Sequence, residues 1–402
     1  MAEQASGALA GLRVLDISTF LAAPQISAIL GDFGADVVKV EPPAGEASRK
    51  IGAQRNGGSL MWALASRNKR TITLDLTHEQ GRDILREFVV GADVIVENYP
   101  PEQLRTWGLS YDDLSALNQR LIMVSVSCYG NTGPLAGRPG AGTLAEAFGG
   151  LTHMTGEAGG PPMLPSLPLG DTLSALSGVI GALVACYHTK VNGGGGQHVD
   201  VSFYEPVLTL LQPTIIAYDP AGHDAPPTRT GSRIATGVPR NVYRARDDRW
   251  LVLSGTTDRQ VARILSIIGS DTPEGQAKFA HSDNRIANAD ELDALVATWI
   301  AAHDLDEVLT VMDANRVPAA PVNDVPALLR DPQIRARDSI VEITDAAIGT
   351  LHMVPASPRL EDTPAAIRFP GPDLGAFNEE VYGEWLGYDL AKLDELRRAG
   401  II

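Results

Sequence analysis

The first 130 residues alternate between short β-type runs and helical patterns, and this alternation constrains the fold more than any other feature of the chain. LRVLDIS (12–18), DVVKVEP (36–42), RTITLDL (70–76), DVIVENY (93–99) and LIMVSVSCYG (121–130) are apolar, β-branched runs. Between the first two lies PQISAILGDFG (24–34), a helical pattern closed by glycine. A second helical pattern, THEQGRDILREFVVGA (77–92), carries Thr77 and Glu79 at its start. Buried strands separated by helices predict a doubly wound parallel sheet. A dehydrogenase is the obvious use of such a sheet, but it needs G-x-G-x-x-G after the first strand. That place reads DISTFLAAPQ, without a glycine.

Further along, DTLSALSGVIGALVACYHTK is small and apolar on all sides. It predicts a helix buried nearly all round, ended by the four glycines 193–196. That glycine run follows a helix, whereas a phosphate cradle follows a strand and opens a helix, so it reads as a flexible turn. Residues 219–241 are rich in Gly, Pro and Thr and read as a linker or working loop. VYRARDDRWLVLSG predicts a hairpin turning at Asp247–Asp248, with helices at about 257–269 and 290–303. A chain of 402 residues exceeds what one core usually supports, so two domains are expected, the smaller ending near residue 328.

The formal net charge of -16 argues against nucleic acid as a partner. An anionic ligand needs a local cluster of Arg or Lys set against that field. Cys128 and Cys186 sit in apolar surroundings without metal-ligand spacing, so no metal is expected and a reduced, cytoplasmic protein is. MAEQASGALA lacks the basic region and apolar core of a signal peptide. No uninterrupted apolar run approaches the roughly 18–20 residues that cross a bilayer, and no membrane partner is expected.

LPLGDTLSAL (167–176) sets one aspartate, Asp171, at the start of the long apolar helix. It is either a helix cap, a job Asp does well for roughly 1 kcal/mol, or a carboxylate placed for chemistry.

Several segments together carry a resemblance. GLRVLDISTFLAAPQISAILGDFGADVVKVEPP, SRNKRTITLDL, ADVIVENYPPEQLRTWGLSYDDL, GPLAGRPG, TGEAGGPP and PLGDTLSALSG occur in this order. Through them nearly the whole chain resembles the class III CoA-transferases, the CaiB/BaiF family. The resemblance implies a Rossmann-like doubly wound α/β large domain built from both ends of the chain and a smaller α+β domain between. The expected boundaries are 1–222, 223–328 and 329–402, the last part returning to the large domain. It also implies an interlocked homodimer.

The implied activity is exchange of CoA between an acyl-CoA and a small carboxylic acid, with CoA thioester as substrate and no prosthetic group. Asp171 is then the nucleophile, and a carboxylate nucleophile splits one difficult step into two. At a helix N-terminus it would stay ionised, with free N–H groups near it for an oxyanion. Gly170 leaves room for CoA. Arg67, Lys69 and Arg70 of SRNKR offer cations for its phosphates, against a solvated polar turn as the plain alternative. Leu74 and Asn98 fall where relatives contact the nucleotide. Relatives often have an arginine two residues before the glycine equivalent to Gly108; here that residue is Thr106, and Arg105 is the substitute.

The family's racemase branch carries a His–Asp pair where this chain reads Gly140, Ala141, Gly142. Its oxalate branch carries Tyr–Glu at Ala141 and Gly142. GSRIATGVPRNVYRARDDRW looks instead like members that use four- and five-carbon dicarboxylates, with succinyl-CoA as donor. Arg233 and Arg240 in that loop, and Arg49 and Arg55 after the second strand, are candidate cations for the second carboxylate; a surface arginine is the alternative for each. Glu146 is expected to line the pocket, and His198 to be structural. Intramolecular transfer of the mesaconyl-CoA C1–C4 kind, a 2-methylacyl-CoA racemase and a CoA-binding homologue without activity are the alternatives.

Overall fold

The computed structural model describes residues 7–219, 221, 226–234 and 236–402. The chain forms two compact units: residues 1–151, 164–217 and 336–402, and residues 152–163 with 218–335. The expected division at 222/223 and part of the 219–241 loop fall outside the described residues, as does the start of the N-terminal segment.

The first unit is built on a six-stranded sheet. Its strands are β1 (Arg13–Asp16), β2 (Asp36–Glu41), β5 (Lys69–Thr73), β6 (Val94–Glu97), β7 (Ile122–Ser127) and β8 (His198–Ser202). A short hairpin, β3 (Gln54–Arg55) with β4 (Gly58–Ser59), precedes β5. The sheet order is β5-β2-β1-β6-β7-β8, and each pairing is parallel. The first five are the runs that the sequence marks as strands. In β1, β2, β6 and β7 apolar residues on both faces are covered, which is why those runs are continuous and not alternating. One face packs Leu15, Val38, Ile72, Ile95 and Met123 into a core; the other packs Val14, Val37, Val94, Val96 and Val124 into a second.

The connections are α1 (Ala22–Asp32), α2 (Leu60–Ala65), α3 (Glu79–Val90), α4 (Pro101–Trp107), α5 (Tyr111–Leu117), α6 (Gly142–Phe148), α8 (Leu169–Lys190) and α9 (Tyr204–Ala217), while all but the first residue of α7 (Leu151–Met154) belongs to the second unit. At α3 the cap is His78, whose ring accepts the Gln80 N–H; Thr77 bonds Asp75 instead.

α8 corrects one expectation. Its inward face is a stripe of small residues, Ser174, Ala175, Gly178, Ala182 and Ala185. A Cβ on Gly178 would sit 2.3 Å from Ile26 Cδ1, so glycine there sets how closely α8 lies on α1. The outward face is apolar but uncovered: Ile180 and Val184 are each 63% exposed, and Leu176, Leu183 and Tyr187 continue the stripe. By length and composition α8 could cross a membrane, but its inner face is buried against its own unit.

In the second unit β9 (Arg240–Arg244), β10 (Trp250–Ser254) and β11 (Ala319–Pro321) form an antiparallel sheet, the β9–β10 turn holding Asp248 at φ 63°. Helices α10 (Asp258–Ile267), α11 (Pro273–Phe279), α12 (Ser282–Ala287), α13 (Ala289–Ala301), α14 (Leu305–Ala314), α15 (Val325–Arg330) and α16 (Pro332–Ala336) complete it. Capping boxes at Thr257 and Asp304 start two of them.

The C-terminal stretch returns to the first unit through hairpin β12 (Val341–Asp345) and β13 (Gly349–Met353), then α17 (Asn378–Leu386) and α18 (Leu390–Arg398). Asn378 accepts the Thr73 N–H and donates to its hydroxyl, Tyr382 donates to Thr73 O, and Phe377 N donates to Thr71 O. The edge strand β5 is thus covered, which closes a template for pairing with other chains.

Candidate active site

In an open parallel sheet a ligand crevice forms beyond the carboxyl ends of the strands, where strand order reverses. Here that point lies between β1 and β6. Asn98, just after β6, accepts the Thr19 N–H and donates to Thr19 O, both at 2.9 Å, lashing the two loops together. Under the β1 end lies a buried charge network. Asp16 pairs with Lys69 at 2.7 Å and accepts from Ser18 and Ser27; Lys39 pairs with Glu46 at 2.8 Å and donates to Ser18 O. Burial alone would raise the Asp16 pKa, but the Lys39 and Lys69 ammonium groups reverse it and hold it well below the usual carboxylate range. Burial, with Lys39 adding to it, lowers Lys69 to about 8.

Asp171 stands third in α8, behind the N-cap Pro168, and makes no cap bond. The capping alternative is not what the structure shows. The first-turn N–H groups are also taken: Leu169 N donates to Leu167 O, Gly170 N to Glu146 Oε1 at 2.8 Å, and Thr172 N to Pro168 O. Short local carbonyl contacts and Glu146 thus claim three of the four first-turn donors, and the Asp171 N–H faces its own carboxylate. Asp171 is half-buried, and among the described residues no cation pairs with it. Burial raises its pKa first and the Glu146 charge adds to that, while its own N–H opposes both. The carboxylate is therefore more basic than an ordinary aspartate, as suits a nucleophile.

Three comparisons with known proteins place the chain in a family. The model of CoA-transferase family III matches residues 9–378. The chain belongs to CoA-transferase family III. It is 37% identical over 391 residues, 96% of each chain, to a succinyl-CoA–D-citramalate CoA-transferase of Chloroflexus aurantiacus. It is 37% identical over 98% of each chain to the beta subunit of a succinyl-CoA–L-malate CoA-transferase from the same organism. A CaiB/BaiF family protein from Brucella suis superposes with a TM-score of 0.82 at 28% identity, over 94% of this chain and 100% of its own. The protein is a CoA-transferase, a class of enzyme that uses CoA thioester substrates.

Within a family III transferase, most of the expected phosphate-binding residues are otherwise employed. Arg67 grips Asp32 through Nε and Nη2 and donates to Leu64 O, 5% exposed. Lys69 is fully buried on Asp16 and Pro24 O. Arg70 ties Asp36 to Glu380 and Glu384 of α17. Leu74 is 1% exposed and packs in the core of the first unit. For Arg67, Lys69 and Arg70 the cause is the same: the carboxylates that claim them come from strands and helices far off in sequence. Arg105 is exposed on α4, paired with Glu102, and lines a cavity of about 220 Å³ with Glu97, Tyr111, Ser125, Asn131 and His198. His198 stacks on Tyr111, its Nε2 2.7 Å from Ser125 Oγ.

Of the candidate acceptor cations, Arg49 is paired with Glu41 through two bonds of 2.7 Å and lies over Trp62. Arg233 is paired with Asp290 and Asp293. Arg55 donates to Thr350 O and Arg240 to Ser232 O, neither meeting a carboxylate among the described residues. Glu146 does not line an open pocket; it is 2% exposed. Lys39, which no motif marks, is the residue missed. A lysine in the middle of DVVKVE was the available signal, since a buried lysine implies a carboxylate partner.

Proposed function

We propose that the protein moves CoA from a dicarboxylyl-CoA, succinyl-CoA being the first to test, to a small dicarboxylic acid, with Asp171 as nucleophile. Asp171 attacks the thioester carbonyl, giving a mixed anhydride and the CoA thiolate. The thiolate attacks the aspartyl carbonyl, releasing the donor acid and leaving aspartyl-CoA thioester. The acceptor carboxylate and the thiolate then repeat the two steps in reverse order, and Asp171 is regenerated. One thioester replaces another, so the exchange is nearly balanced in free energy and needs no ATP.

The observation that carries this reading is a half-buried carboxylate at the head of α8, paired with no cation among the described residues and made more basic by burial. The substrate class is supported by the relatives, named for transfer from succinyl-CoA to a second acid, which also favours transfer between molecules over transfer within one. Arg55 and Arg240 are the remaining proposed cations for the second carboxylate. The apolar outward stripe of α8, continued by Leu210, Ile215 and Ile216 of α9, supports a homodimer as the working form.

Asp171→Asn and Asp171→Ala test the mechanism. Both are expected to fold and both to lose transfer, because neither can form the anhydride. Wild type incubated with acyl-CoA and hydroxylamine is expected to carry a hydroxamate on the Asp171 peptide by mass spectrometry. Activity in Asp171→Asn, with no reversion to Asp, would refute the mechanism.

A further inference from the structure

The residue the structure ties most closely to Asp171 is Glu146. It lies on α6, almost wholly buried, and its carboxylate receives the Gly170 N–H at 2.8 Å. Gly142 stands one turn earlier on the same helix, and residues four apart share a helix face. A Cβ on Gly142 would fall 2.3 Å from Asp171 Oδ2, and one on Gly170 would fall 2.7 Å from Gly142 O. α6 therefore presents a notch to the Asp171 carboxylate and, one turn on, a carboxylate to the peptide N–H immediately before it. A buried carboxylate without a cation is costly, and here a second carboxylate stands beside it.

We propose that Glu146 is a positioning residue for acyl transfer: it locks the first turn of α8 so that Asp171 sits in the Gly142 notch, and its charge favours the acylated states of Asp171. The inference rests on Asp171 being the nucleophile. When the Asp171 oxygen bonds the acyl carbon and the carbon–sulfur bond breaks, the negative charge leaves with the CoA thiolate. Residue 171 becomes neutral, and its repulsion with Glu146 ends. An anhydride lies above a thioester plus a carboxylate in free energy. Raising the resting state in a low-dielectric site narrows that gap.

The other titratable groups on elements packed against α8 are committed elsewhere. Glu205 of α9 bonds Ser202, Asp200 of β8 receives the Asn131 N–H, His198 meets Ser125, and Asp32 of α1 pairs with Arg67. Glu146 is the charge acting on Asp171.

The test compares Glu146→Gln and Glu146→Ala in the full chain. Gln keeps an acceptor for the Gly170 N–H and removes only the charge. Its melting temperature is expected to match wild type, its kcat to fall about tenfold with KM for acyl-CoA unchanged, and the acid limb of kcat to move to lower pH. Ala removes acceptor and charge together and is expected to lose about a hundredfold or more. A merely structural role moves stability and leaves the acid limb in place. Wild-type kcat and an unmoved acid limb in Glu146→Gln, with Asp171→Asn inactive, overturn this proposal and leave the nucleophile standing. An active Asp171→Asn removes the nucleophile itself, and this proposal with it. Should Glu146→Ala fail to fold, Glu146→Gln alone decides.

Discussion

Glu97 is buried at the end of β6 with only the Tyr99 N–H and the Ser125 hydroxyl to favour its charge. Burial, with Asp200 adding to it, raises its pKa to about 7. The folded protein then keeps a proton that the unfolded chain gives up near 4.5, so stability falls as pH rises from about 4.5 to 7. Glu97→Gln is expected to remove that slope: its unfolding free energy should match wild type near pH 4 and exceed it at pH 8 by about 3 kcal/mol. An equal difference at both pH values would count against a titrating Glu97. Asp16 has the opposite sign. Its depressed pKa contributes stability that is fully present above the ordinary aspartate range and is lost as pH falls from that range toward the depressed value. Arg67 makes a third case. Removing it strands buried Asp32, so Arg67→Ala is expected to lose about 3–5 kcal/mol in urea unfolding. A phosphate-binding Arg67 would instead weaken CoA binding and spare stability.

At the scale of elements, α17 and β5 are held together by a few buried polar bonds. Asn378 is the center of them, since its amide serves both the N–H and the hydroxyl of Thr73. Asn378→Ala leaves a buried donor unpaired, and a loss of about 1–3 kcal/mol is expected by denaturant midpoint. A change under the error of the measurement would show that water replaces the amide there. α8 is the other element with a double duty. Its small-residue face fixes its distance from α1, while its first turn carries the carboxylate proposed for chemistry.

At the scale of the molecule, α8 and α9 leave large apolar side chains uncovered on the first unit. Contiguous patches of that kind mark association surfaces. A second copy is the expected partner, and sedimentation at micromolar concentration should give twice the chain mass. Ile180→Glu with Val184→Glu, placed in the centre of the stripe, is expected to yield monomer with an unchanged far-ultraviolet circular dichroism spectrum. A wild-type monomer, or a dimer indifferent to both charges, would place the interface elsewhere.

The strands and their parallel order of burial were legible in the sequence, because a β-branched run buried on both faces looks apolar without reference to its neighbours. Asp171 stood out through PLGDTLSALSG, but sequence alone left capping open; the helix boundary at Leu169, with Pro168 as cap, decided the capping question alone. What the cations do was decided only in three dimensions. Lys69 and Asp16 are 53 residues apart, on β5 and β1 with β2 between them, and sequence does not say which strand lies beside which. The same holds for α8. Both of its faces are apolar, so hydropathy could not distinguish the face covered by its own chain from the face left open. Glu146 acquired its place for the same reason: its partner, the Gly170 N–H, belongs to a different helix, and only the packing of α6 on α8 brings the two together.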